Sequence, residues 1–124
     1  MEVDALKATA NKCIAKGELT QALAALGAAL GTEPHMPVLW ANRAYVYELQ
    51  HEHEKALSDA QQCLQFAPDF SKGHLRAGRA LTSLGRLAEA RELLASASAR
   101  FPQDYALVEA LNAVGDGGVG GSDV

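Results

Sequence analysis

Two cations, Lys72 and Arg76, stand four residues apart at the start of a predicted helix. Residues at that spacing share one helix face, so the two charges repel each other by roughly a few tenths of a kcal/mol. The helix dipole adds a second penalty, because a helix N-terminus favours anions over cations. A sequence that keeps this pair either leaves both charges in open solvent or presents them to an anion. The pair is therefore a candidate anion-binding site.

The elements that position this pair follow an internal repeat. Pro34, Pro68 and Pro102 are 34 residues apart, and small residues recur at the same interval. These small residues form three sets: Ala10, Ala44 and Gly78; Ala22, Ala56 and Ala90; and Ala29, Cys63 and Ala97. Three copies of one unit without an insertion predict a repeat architecture.

Each copy has the apolar spacing of two helices joined by a turn. Gly17 is predicted to end the first helix, and Gly31 with Pro34 the second. His51 stands in the second copy where the first and third have a turn glycine, Gly17 and Gly85. The six predicted helices cover about 3–16, 19–30, 37–50, 54–66, 71–84 and 87–100.

A further amphipathic helix is predicted after the third copy, with Asp104 as its N-cap and Tyr105, Val108 and Leu111 facing inward. Such a helix covers the apolar end of a stack of repeats. Residues 115–124 are rich in glycine and acidic, which indicates a flexible tail or linker. The predicted domain spans 1–114, with repeats over about 3–36, 37–70 and 71–104 and a cap over 104–114.

The composition favours an all-α fold. Hydrophobic residues make up 48% of the chain but aromatic residues only 6%, so alanine and leucine must supply most of the core. Such a composition suits close helix–helix packing better than a sheet, which uses β-branched and aromatic residues. We therefore predict an α-solenoid of three helix–turn–helix repeats with a C-terminal capping helix.

Charge and cysteine content argue against other classes of protein. A formal net charge of −4 disfavours a nucleic-acid binder, which has a basic footprint. No segment approaches membrane-spanning length, and the acidic N-terminus lacks the apolar core of a signal peptide. A cytoplasmic location without a membrane partner is expected. Cys13 and Cys63 have no metal-ligand spacing and are expected to be reduced and buried.

The sequence predicts no catalytic or metal site. His51 and His53 alternate with acidic residues at a turn, a spacing that fits no zinc pattern. Cys13 has no nearby histidine that would activate it as a nucleophile. We therefore expect a protein that is not an enzyme and needs no cofactor.

The 34-residue unit, with its small slots, Trp40 in the second copy and a closing proline, resembles the tetratricopeptide repeat (TPR). The stretches 6–11, 38–43 and 68–76 further resemble the dicarboxylate-clamp subfamily, and most of all the N-terminal domain of heat-shock organising proteins. Members of this co-chaperone subfamily bind the C-terminal Glu-Glu-Val-Asp peptide of heat-shock protein 70 or 90. The resemblance implies the same partners here.

The resemblance carries the clamp onto five residues of this chain, and all five residue types match. They are Lys7, Asn11, Asn42, Lys72 and Arg76. Since the first helix of each repeat lines a concave groove in this family, the five side chains are expected to converge there. The cations would donate to the two carboxylates of a terminal aspartate, and the amides would also hold the peptide backbone. The alternative is ordinary solvated charges without affinity for anions.

Further groove contacts are expected from Ala41, Tyr45, Glu48 and Arg79. Tyr45 and Arg79 are bulkier than the residues that heat-shock organising proteins usually have there. Either they narrow the groove, with Arg79 able to add a contact to a peptide glutamate, or both lie along its rim. The choice between heat-shock proteins 70 and 90 stays open, and N-terminal placement favours 70 by analogy.

The resulting hypothesis is a peptide-binding co-chaperone adaptor. One alternative is the targeting domain of a larger chaperone-associated enzyme whose chemistry lies beyond Val124. Another is a general interaction scaffold that pairs with a partner helix. The scaffold predicts an apolar groove, and the four cations at positions 7, 72, 76 and 79 count against it.

Overall fold

A computed structural model of the chain describes residues 2–115. Within them the chain forms seven α-helices and no strand, so the predicted all-α class is confirmed. The helices are α1 (Val3–Lys16), α2 (Leu19–Thr32), α3 (Pro37–Leu49), α4 (His53–Phe66), α5 (Ser71–Ser83), α6 (Leu87–Arg100) and α7 (Tyr105–Val114). The tail expected over 115–124 lies, from residue 116 onward, outside the described residues.

The helices repeat with the interval of the sequence. α1, α3, α5 and α7 begin at Val3, Pro37, Ser71 and Tyr105, 34 residues apart each time. Every helix packs against the next along the chain, and in addition α3 packs against α5 and α5 against α7. The odd-numbered helices α3, α5 and α7 therefore form one continuous row, and α1 is joined to it mainly through α2.

The turn inside each helix pair contains one residue in the left-handed backbone conformation, at the same position of the repeat. Gly17 and Gly85 have φ angles of 77° and 78°, and His51 at the equivalent position has a φ of 61°. At each turn the following backbone N–H also reaches back to the end of the preceding helix, as in Glu52 to Tyr47 at 2.8 Å. Only glycine adopts this conformation without steric penalty, so His51 is strained where the other two turns are not.

The loops between pairs are tied down by a side chain six residues after the closing proline. Trp40 Nε1 donates to the carbonyl oxygen of Pro34 at 2.8 Å. His74 Nε2 donates to the carbonyl oxygen of Pro68 at 2.7 Å, in the equivalent position of the next copy. Proline has no N–H to donate, so its carbonyl oxygen is the backbone group through which these two hydrogen bonds hold each loop in place.

The core consists of two apolar clusters that meet at α3. One cluster joins α1, α2 and α3 around Leu26 and Leu39, and the other joins α3 to α7 around Leu94 and Leu107. The predicted small slots are buried between these side chains. Gly78 shows why the slots are small, since a Cβ atom added there would lie 2.3 Å from a methyl carbon of Leu94.

Several predicted helix boundaries were wrong by one or two residues. α2 continues to Thr32, beyond Gly31, because Gly31 keeps a helical φ rather than the positive φ of a glycine cap. The helix ends at Thr32, and the N–H of its C-cap residue Glu33 still donates to the Ala29 carbonyl at 2.8 Å. Pro34, which has no N–H, follows directly. α3 ends at Leu49 and not at 50, and α5 ends at Ser83 and not at 84. α4 begins at His53 and not at 54.

The inward face of α7 was predicted correctly only for Leu111, which packs against the core, whereas Val108 is not among the core-packed side chains. Asp104 is the N-cap as expected, and its side chain accepts a hydrogen bond from the Ala106 N–H at 3.2 Å. Tyr105, however, is 75% exposed, while Leu107 and Ala110 are buried. The inward face of α7 is formed instead by Leu107, Ala110 and Val114.

Candidate functional site: a cationic layer on the first helices

The structure places the five predicted clamp residues on α1, α3 and α5, the first helices of the three pairs. Lys7 and Asn11 lie on α1, Asn42 on α3, and Lys72 with Arg76 on α5. Lys7, Asn42 and Arg76 are half-buried, whereas Asn11 and Lys72 are exposed. All five therefore present polar groups at the surface of their helices.

Four of these side chains have no partner within the domain. Across residues 2–115, no side-chain hydrogen bond or ion pair involves Lys7, Asn11, Asn42 or Lys72. Together the two lysines offer six N–H donors and the two amides four more. These donors are free to meet an external acceptor.

Arg76 is different, because α3 holds its side chain in place. Its guanidinium carbon lies 4.3 Å from the centre of the Tyr45 ring, within the range of a cation–π contact. Its Nη1 atom donates to Glu48 Oε1 at 3.3 Å, and the side chain is only 16% exposed. Tyr45 thus fixes one face of the guanidinium and Glu48 one edge, although both were expected to contact a peptide in the groove and not Arg76.

Glu48 is shared between two arginines. Arg79 Nε donates to Glu48 Oε2 at 2.8 Å, shorter than the 3.3 Å bond from Arg76. A distance of 2.8 Å is typical of a well-formed charged hydrogen bond, whereas 3.3 Å is long for one. Arg79 is the main partner of this carboxylate, and it remains half exposed.

Burial sets the electrostatics of Arg76. Loss of water around the guanidinium lowers the pKa of Arg76 below its ordinary value, the nearby Glu48 carboxylate raises it, and Arg79 lowers it again. An arginine stays protonated at any physiological pH even so. Its charge therefore lies in a poorly hydrated position, where a further carboxylate would be attracted more strongly than in open water.

A cavity adjoins the Glu48–Arg79 pair where α3, α5 and α7 meet. Its volume is about 170 Å³, and it is lined by Glu48, Arg79, Thr82, Ser83, Ala110 and Ala113. The Thr82 hydroxyl donates to the Gly78 carbonyl at 2.8 Å, so it is already engaged within α5. The cavity therefore extends from the Glu48–Arg79 pair to α7.

One predicted groove contact is not at the surface. Ala41 was expected to line the groove, but it is 2% exposed, so its methyl group lies in the core. Ala41 is buried like the other small residues of the repeat, which allow neighbouring helices to pack closely. The remaining groove candidates, Tyr45, Glu48 and Arg79, lie together in the contacts described above.

Other sites considered from the sequence have no support in geometry. Among residues 2–115 no three histidine, cysteine or acidic side chains come together as metal ligands. Cys13 and Cys63 are both buried and unpaired, as expected, and burial raises the pKa of the Cys63 thiol to about 11. None of the described helices combines the length and apolar character needed to span a membrane.

The sequence and the fold define a class of protein at this point. Residues 49–114 match the family model described as tetratricopeptide repeat. This match covers more than half of the chain, so the chain belongs to the tetratricopeptide repeat family. The resemblance inferred from the repeat interval is confirmed.

Curated proteins with similar sequences include other proteins with this repeat. The chain is 36% identical over 91 residues to small glutamine-rich tetratricopeptide repeat-containing protein 2 of Mycosarcoma maydis, covering 73% of this chain and 26% of that protein. It is 35% identical over 86 residues to the heat shock protein sti1 homolog of Schizosaccharomyces pombe, covering 69% of this chain and 15% of that protein. The matched part of the chain therefore spans only 26% and 15% of the length of these two relatives.

Solved structures have the same architecture. The Sgt2 TPR domain of Aspergillus fumigatus superposes with a TM-score of 0.86 at 27% identity, covering 90% of this chain and 76% of that one. The second TPR domain of human RPAP3, solved with the HSP70 peptide SGPTIEEVD, gives 0.82 at 26% identity, covering 88% and 91%. The first TPR of Spaghetti (RPAP3), bound to the HSP90 peptide SRMEEVD, gives 0.85 at 24% identity, covering 90% and 89%, which shows the shared fold alone.

Proposed function

We propose that this domain is a co-chaperone adaptor that captures the acidic C-terminal tail of heat-shock protein 70 or 90. Lys7, Asn11, Asn42, Lys72 and Arg76 form a clamp for the two carboxylates of the last residue. The observation that carries the proposal is the set of unpartnered donors on α1, α3 and α5, all on first helices of the repeats. The proposal includes a cytoplasmic location and no role as an enzyme.

Charge chemistry supports a free chain end as the ligand. A C-terminal aspartate carries a main-chain and a side-chain carboxylate on the same residue, whereas an internal acidic residue carries only one carboxylate. Hydrogen bonds to charged groups contribute about 1.5–3 kcal/mol each when well placed, so several of them select strongly for that end. The ligand of one structural neighbour agrees with this choice, because the second TPR domain of human RPAP3 was solved with a peptide that ends in EEVD.

Calorimetry with the peptide SGPTIEEVD tests the clamp. We expect binding that weakens as salt is raised, because exposed charges are screened within about 10 Å at 0.1 M ionic strength. The same peptide with an amidated C-terminus should bind at least about tenfold more weakly, since it has lost one carboxylate. Equal affinity for the two peptides would contradict the proposal.

A matched pair of variants on α1 separates the clamp from general charge. Lys7→Ala should weaken binding at least about tenfold, because it removes a donor to the peptide. Lys16→Ala removes the same charge from the exposed end of the same helix, on the side opposite Lys7, and should leave affinity within about twofold. Equal losses in both variants would indicate nonspecific attraction instead.

The identity of the chaperone is the finer part of the proposal. SGPTIEEVD and SRMEEVD share their last four residues, so a terminal clamp predicts that both bind. The ratio of the two affinities then reports contacts upstream of that motif, in the part of the groove near Tyr45 and Arg79. Absence of binding to either peptide would favour the alternative of a scaffold for other partners.

A further inference from the structure

The Glu48 carboxylate is the one fixed anion in contact with the proposed clamp within residues 2–115. It lies on α3 and reaches across to α5, where Arg76 and Arg79 both donate to it. Its side chain is 16% exposed, so water screens it only in part. A carboxylate in that position competes with any incoming carboxylate for the Arg76 guanidinium.

The geometry indicates how this competition is limited. Arg79 holds Oε2 at 2.8 Å through its Nε atom, while Arg76 holds Oε1 at the longer distance of 3.3 Å. Arg79 therefore neutralises most of the Glu48 charge, and Arg76 contributes one weak bond. Without Arg79, the full charge of Glu48 would fall on Arg76 and would repel a second anion.

We infer that Arg79 is a positioning residue for the anion site. By forming its own ion pair with Glu48, Arg79 keeps the Arg76 guanidinium available to the terminal carboxylates of a peptide ligand. Arg79 does this without touching the peptide, and Tyr45 completes the arrangement by holding the face of Arg76 at 4.3 Å. The inference rests on the proposed function, since it concerns the strength of the same clamp.

A double-mutant cycle tests this role with the peptide SGPTIEEVD and isothermal calorimetry. Arg79→Ala should weaken binding about fivefold, because Glu48 then pairs with Arg76. Glu48→Gln should bind at least as tightly as the parent domain, since the competing charge is gone. The double variant Glu48→Gln/Arg79→Ala should return to within about twofold of the parent affinity.

The salt dependence of binding provides a second readout. The double variant has the same net charge as the parent domain, so the two should weaken equally with salt. Glu48→Gln has one more positive charge at the clamp and should show a steeper decline. If the double variant and the parent domain differ in salt dependence, Arg79 acts on the peptide by more than its pairing with Glu48, which contradicts the inference.

The matched control is the exposed pair of Arg86 and Glu89 at the start of α6, bonded at 2.8 Å. Arg86→Ala and Glu89→Gln make the same charge changes away from α3 and α5, and neither should change affinity by more than about twofold. Circular dichroism and thermal unfolding of every variant show whether the fold is retained.

Each other result overturns the inference. If the double variant stays as weak as Arg79→Ala, then Arg79 contacts the peptide directly. If Glu48→Gln weakens binding, then Glu48 supports the clamp and does not compete with the ligand. If Arg79→Ala binds normally, the pair has no influence on the site. If the parent domain itself fails to distinguish the free from the amidated peptide, the proposed function falls, and this inference with it.

Discussion

Arg43 on α3 and Asp59 on α4 form a bidentate ion pair across the second helix pair. Arg43 Nε donates to Asp59 Oδ2 at 2.7 Å and Nη2 to Oδ1 at 3.1 Å. Asp59 is 4% exposed. Among residues 2–115 it is the only charged residue that is buried. The Arg43 side chain is 25% exposed and also lies near the rings of Trp40 and Tyr47, at 5.2 and 5.7 Å.

The two ends of this ion pair should differ in their mutational cost. Arg43→Met leaves the Asp59 carboxylate buried without a partner, so we expect a loss of about 3 kcal/mol of stability. Asp59→Ala leaves an arginine that can still reach water and the aromatic rings, and should lose about 1–2 kcal/mol. Urea unfolding of both variants measures the difference. The combined variant should be more stable than Arg43→Met alone, and the reverse order would contradict this account.

Replacing His51 by glycine should stabilise the domain. The φ angle of 61° is unfavourable for any residue with a Cβ atom, and the equivalent turns use Gly17 and Gly85. We expect His51→Gly to raise the free energy of unfolding by about 0.5–1 kcal/mol, measured by urea denaturation. The reciprocal variant Gly85→Ala should lose a similar amount. A destabilised His51→Gly would show that the histidine ring makes contacts that outweigh the backbone strain.

Gly78→Ala should destabilise the third helix pair despite the better helix propensity of alanine. The new Cβ would come within 2.3 Å of Leu94, whose side chain is fully buried, so the core around it must shift. Overpacking of this kind typically destabilises by about 1–3 kcal/mol, and the gain in helix propensity offsets at most about 1 kcal/mol of it. Thermal unfolding should show a lower Tm.

Gly27→Ala is the control for that prediction. Gly27 lies inside α2, and a Cβ atom there would meet nothing within 4 Å. Only the propensity term remains, so this variant should gain up to about 1 kcal/mol. If both glycine variants were stabilised, the close approach between Gly78 and Leu94 would be relieved by a small shift of the helices.

Stability should decline between about pH 9 and pH 11 through Cys63. Burial raises the pKa of this thiol from 9.0 to about 11, so the folded state holds its proton more tightly than the unfolded state. The resulting stabilisation is complete below about pH 9 and is lost as the pH rises towards about 11, by up to roughly 2–3 kcal/mol. Urea unfolding across that range measures it.

Two cysteine variants isolate the Cys63 contribution from other groups that titrate in the same range. Cys63→Ala removes the thiol and should show a flatter decline than the parent domain between about pH 9 and pH 11. Cys13→Ala retains Cys63 and should decline like the parent. Identical profiles for the parent and Cys63→Ala would show that the thiol remains accessible to water in the folded state.

The helical architecture was readable from sequence because its causes are local. The 34-residue interval and the apolar spacing predicted every helix, and Gly17 predicted the turn that the φ angle of 77° confirms. Asp104 was identified as an N-cap because its short side chain can accept a hydrogen bond from a backbone N–H in the first turn of the helix. The errors fell at helix ends, as at Gly31, where a glycine is equally compatible with a helix and with its end.

The neighbours of the clamp candidates required the tertiary structure. Arg76 and Glu48 are 28 residues apart, and Glu48 and Arg79 are 31 apart, on two helices whose relative rotation no local pattern determines. The sequence by itself determined which residue types stand on the first helices, and it presented Lys72 and Arg76 as a pair that either lies in solvent or meets an external anion. Packing of α3 on α5 decided otherwise for Arg76, because it brings an internal carboxylate and a tyrosine ring to that side chain while Lys72 stays exposed.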